Sequence, residues 1–79
     1  MRPAAIARRL REKHGRHGAI RRAHERCQRY RRLEEGEAVV THAFRWLVWT
    51  TVLAQLLGTT QSEVIASMHR HLHLVRSAA

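Results

Sequence analysis

Between Ala38 and Leu57 the chain is apolar on nearly every side of a helix: Val39, Val40, Ala43, Phe44, Trp46, Leu47, Val48, Trp49, Val52, Leu53, Leu56 and Leu57 all fall in it. A helix of that kind is the buried centre of a domain, an oligomer interface or a membrane span. The stretch is about as long as the ~20 residues a span requires, but His42, Arg45 and Gln55 interrupt it. A charge inside a span costs roughly 2.5–3.5 kcal/mol even on lenient insertion scales, and the clean part, Trp46 to Leu57, is too short. The expectation is a helix buried in protein. A chain of 79 residues hides only roughly 60–65% of its unfolded surface, so it makes one thin-cored domain for which a homodimer is expected.

What that helix packs against is set by where the charge lies. Fifteen Lys and Arg face six Glu, with no Asp, for a net charge of +9. Twelve of the cations and four of the Glu lie in residues 1–36, whereas residues 37–79 hold only Arg45, Arg70 and Arg76 against Glu37 and Glu63. The first segment reads as a basic helical arm or hairpin and the second as an apolar body, within one domain. Nearly all the cations are Arg, whose planar fork holds phosphate at two points and stays charged at physiological pH. Charge of this sign and size favours nucleic acid, an acidic protein or an anionic surface as partner.

The fold class expected is all-α, a small bundle of about four helices. Pro3 suits a first helical turn, and Ile6 and Leu10 share a face of a helix ending near His14. Gly15 and Gly18 punctuate. A second helix starts near Ala19, its stripe formed by Ile20, Ala23, Cys27 and Tyr30, with Arg21, Arg22, Arg26, Arg29 and Arg32 covering the rest. Gly36 follows Leu33-Glu34-Glu35 as a helix stop, and the third helix runs from about Glu37 to Leu57.

The densest local pattern follows. Ala54 is a small residue where two helices cross closely, Gly58 is a turn residue that tolerates positive φ, and Val64 is an apolar anchor for the next helix. Thr60 with Glu63 three residues on is a capping box marking that helix's start. On a helical projection of Gln61 to Arg76, Val64, Ile65, Met68, Leu72 and Val75 fall on one side. Ser62, Ala66, His69, His73 and Arg76 fall on the other.

With those residues in place, Leu53 to Val64 resembles the helix-turn-helix of phage Cro and repressor proteins and of MarR-type winged-helix regulators. Trp49-Thr50 before it and Leu74-Val75-Arg76 after it extend the likeness over residues 49–76. Ile65 departs from the pattern, standing where those families expose a polar side chain, and no wing is expected. The resemblance implies DNA binding, with Gln61 and Ser62 at base edges and His69, Arg70, His73 and Arg76 on phosphates. Arg21, Arg22, Arg26 and Arg29 of the basic segment are expected to add phosphate contacts. Residues 4–57, through Ala4 to Leu10, Lys13-His14-Gly15, Gly36-Glu37-Ala38 and Trp46, are similar to a group of short bacterial helical-hairpin proteins of no known activity. That likeness implies helices and nothing more.

The remaining residues read as framework. His69 and His73 are four apart on a helix, yet two imidazoles fall short of the three or four ligands of a zinc site, so no metal and no cofactor is expected. Cys27, the single cysteine, lies on an apolar stripe and reads as core, and a chain without a disulfide fits a reducing compartment. Met1 to Arg9 lacks the apolar stretch of about 7–15 residues that a secretory signal needs, so a cytoplasmic location is expected. Trp46 and Trp49 read as core or interface anchors. No paired carboxylates or nucleophile constellation points to an enzyme. The function expected is a small basic DNA-binding regulator. Its rivals are a basic single-span membrane protein in the style of phage lysis peptides, and a helical adaptor that binds protein through its apolar helix.

Overall fold

The computed structural model describes residues 2–31 and 39–78, with side chains over 2–31 and 40–69. Among the described residues it contains no strand and three helices: α1 (Pro3–Tyr30), α2 (Val39–Leu57) and α3 (Gln61–Ala78). The all-α expectation holds at that level. The count differs, because the two helices expected before residue 31 are one element bent at Gly15, whose φ of 72° and ψ of 175° are non-helical. Gly18 continues the helix. The stop expected at Gly36 and the start at Glu37 lie outside the described residues.

Pro3 opens α1 because a proline nitrogen has no proton to leave unpaired. The Arg2 carbonyl accepts from the backbone N–H groups of Ala5 and Ile6, at 3.1 and 3.2 Å. Beyond the bend, Ala19, Ala23 and Cys27 recur every fourth residue and are fully buried, as is Ala7 before it. Small side chains at that spacing let α2 lie close. Through Ala7, Ala19, Ala23 and Cys27, α1 supplies four of the ten buried apolar residues of the core among those described.

The apolar α2 divides along its length. In its C-terminal half Thr50, Val52, Leu53, Ala54 and Leu56 are buried. Burial on more than one side follows from α2 being the middle element, with α1 and α3 each packed on it, while Gln55 and Leu57 stay exposed. In its N-terminal half Val40, Phe44 and Leu47 are exposed, Val40 to 82%. Trp46, Val48 and Trp49 pack against the core from its edge. No described helix is long and apolar enough to cross a membrane.

Α2 ends on Gly58, whose φ of 72° lies in the left-handed region that favours glycine. Thr59 N–H donates to the Ala54 carbonyl at 2.9 Å and Gly58 N–H to that of Gln55 at 3.4 Å, the paired bonds of a Schellman stop. Three residues later α3 begins, with Thr60 Oγ1 accepting from Glu63 N–H at 3.2 Å as an N-cap does. Val64 and Met68 are buried and Ser62 and His69 exposed, as the two expected faces require, whereas Ile65 and Ala66, expected on opposite faces, are both half-buried.

Candidate nucleic-acid interface

The cationic residues of α1 sort themselves by where the helix turns them. Ala7, Ala19, Ala23 and Cys27 are buried, and Arg8, Arg9, Arg11, Lys13, Arg16, Arg21, Arg26 and Arg29 are left exposed. Over residues 2–31 eleven Lys and Arg stand against Glu12 and Glu25 alone. The charge expected on a basic helical arm or hairpin is thus carried, over these residues, by the bent helix α1.

Three of the four α1 arginines expected on phosphates converge. Arg22, Arg26 and Arg29, with Glu25, line a cavity of ≈ 560 Å³ whose other walls are Leu10, His14 and Trp49. The bend at Gly15 brings Leu10 and His14 opposite those arginines, and α2 supplies Trp49. The Arg26 guanidinium lies over the Trp49 ring, 5.3 Å from its centroid, a cation–π contact. Partial desolvation, and then the charges of Arg22, Lys13 and Arg21, hold the His14 imidazole below its usual pKa. Arg21 does not line this cavity. At 100° per residue it points to the same side of α1 as His24 and Gln28, which face Ser67 and Met68 of α3 across a smaller groove of ≈ 250 Å³.

At the start of α3 the two residues expected to read bases part company. Gln61 is half-buried, and its Nε2 donates to the Leu47 carbonyl at 3.1 Å and to Thr50 Oγ1 at 3.0 Å. Thr50 Oγ1, fully buried, donates in turn to the Trp46 carbonyl at 2.8 Å. Gln61 thus ties α3 to α2, and its amide donors are occupied within the chain. Ser62 is exposed. Of the expected phosphate contacts on α3, His69 is exposed; the side chains of Arg70, His73 and Arg76 lie outside the described ones.

Cys27 is fully buried, and burial pushes its thiol up to about 12. That makes it a packing residue rather than a nucleophile at neutral pH. Among the described residues no three His, Cys, Asp or Glu side chains gather where they could hold a metal. Sequence reasoning did not find Leu10, His14 and Trp49 as partners of the arginines. The glycine at position 15 was the one available signal, and it marks where the chain turns without saying in which direction. Comparison with family models, with curated proteins and with solved structures finds no match.

Proposed function

We propose that this is a cytoplasmic DNA-binding protein, a small regulator rather than an enzyme, in which α1 grips phosphates and α3 is offered to a groove. The observation that supports it most is the segregation of α1. Its small residues Ala7, Ala19, Ala23 and Cys27 join the core, and most of its arginines, carried on the helix, are exposed. Fixed guanidinium groups release counterions from DNA wherever they meet phosphates, which supplies most of the affinity of a nonspecific complex.

The α2–turn–α3 unit supports the helix-turn-helix reading through its parts: buried Ala54 and Val64, the left-handed Gly58 and the Thr60 cap. The commitment of Gln61 to Leu47 and Thr50 leaves Ser62 as the base-reading candidate of the first turn. Affinity therefore belongs to α1 and whatever specificity exists belongs to α3. Changing Arg8, Arg9, Arg11 and Arg16 to Gln should weaken binding to all duplexes alike. Changing Ser62 to Ala should instead affect a preferred duplex, by roughly 1–3 kcal/mol if a base contact is lost. Competition assays with selected and scrambled duplexes check this; identical behaviour of the two variants contradicts it.

A second reading, a protein-binding adaptor or homodimer, is favoured by the exposed Val40, Phe44 and Leu47 on one face of α2. Its signature is a defined partner, or a second copy, retained at salt concentrations that abolish DNA binding.

A further inference from the structure

The cavity between the two limbs of α1 and the side of α2 carries an inference that does not depend on duplex binding. We infer that it binds a nucleotide, a phosphate ester joined to a flat aromatic group, with Arg22, Arg26 and Arg29 on the phosphate and Leu10 and Trp49 against the ring system.

Size comes first. At ≈ 560 Å³ the cavity falls within the range of about 300–1,000 Å³ usual for small-molecule sites. Charge comes next. Three guanidinium groups and one carboxylate, that of Glu25, border one space, an excess of positive charge that an anion relieves. Guanidinium pairs with phosphate through two parallel hydrogen bonds, and three arginines placed at positions 22, 26 and 29 of one helix lie within a turn or two of each other. The third feature is the apolar side. Inorganic phosphate has no use for Leu10 or for the Trp49 indole, whereas a base stacks on an indole or on a guanidinium plane. Arg26, already lying over Trp49, joins the two halves of the site, since a guanidinium can stack by its face and bond phosphate by its edge.

Such a group has two sources, a free mononucleotide or the 5′-phosphorylated end of a strand, and one titration separates them. Trp46→Phe leaves Trp49 as the sole tryptophan and its emission as the probe. At low salt, AMP, adenosine, inorganic phosphate, and a short single strand with and without a 5′-phosphate are each titrated. The expected result is saturable change with AMP, with adenosine and phosphate each weaker by about tenfold or more. If AMP is weak but the 5′-phosphorylated strand binds and its unphosphorylated counterpart does not, the same site is reading a strand end. Arg22→Gln and Arg29→Gln should each weaken the tighter ligand about tenfold with helix content unchanged by circular dichroism. Arg45→Gln, at an exposed α2 cation that does not line the cavity, should leave it unaltered. The inference is overturned if neither AMP nor the phosphorylated strand gives saturable change, if adenosine or phosphate binds as well as AMP, or if Arg45→Gln weakens binding as much as Arg29→Gln.

Discussion

Gln61 shows how a residue chosen for one role by its position in a motif is given another by its surroundings. Its amide joins the Leu47 carbonyl and Thr50 Oγ1, and a hydrogen bond of this kind contributes about 1 kcal/mol net. Gln61→Ala should lower stability by about that much, and should do so less in a Thr50→Val background, where one of the two bonds is already gone. Duplex preference should not change. Thermal melts of the two single variants and the double variant, together with a duplex competition, check both halves; a selective loss at one duplex with no change in melting would restore Gln61 as a base reader. Cys27 makes a separate prediction. Its folded pKa of about 12 lies above the ordinary 9.0, so above pH 9 the folded state holds a proton the unfolded chain releases. Stability therefore falls as pH rises from 9 towards 12, by at most about 1.4 kcal/mol per unit, and is unaffected by this group below pH 9. Cys27→Ala, whatever it costs at neutral pH, should lack that alkaline slope in denaturant titrations.

Among the elements, α3 was the most legible in the sequence and α1 the least. The Gly58 stop, the Thr60 cap and the buried Val64 and Met68 follow from local chemistry, since each depends on neighbours within a few residues. The fate of α2 was legible only as a choice between burial, interface and membrane. Periodicity cannot say that Val52, Leu53, Ala54 and Leu56 are buried while Val40, Phe44, Leu47 and Leu57 are exposed, because that depends on where α1 and α3 cross it. For α1 the glycines marked an interruption, but whether the halves separate or bend depends on Gly15 at φ 72° and ψ 175°, a region open essentially to glycine alone. Gly15→Ala should cost about 1–3 kcal/mol through backbone strain, as nothing stands within 4 Å of an added Cβ. It should also abolish the Trp49 response to AMP by moving Leu10 and His14 away from Arg22 and Arg29. A melting temperature and a nucleotide response both equal to the wild type would contradict the bend.

At the scale of the whole molecule, a net charge of +9 on a body this small is tolerable because α1 turns its cations outward and covers α2 with alanine. The same partition makes the central claim measurable. If α1 is a phosphate-gripping surface, the logarithm of the DNA association constant should fall linearly with the logarithm of salt concentration. Each phosphate contact adds about 0.9 to the steepness of that line. The decisive measurement is this slope for the wild type and for a variant with Arg8, Arg9, Arg11 and Arg16 changed to Gln, on a duplex of arbitrary sequence. The expected result is a steep wild-type line and a variant line shallower by about 0.9 for each arginine that touched phosphate, with helix content unchanged. A wild type that does not bind at low salt, or two lines of equal slope, would contradict the assignment of α1 as the DNA-binding surface.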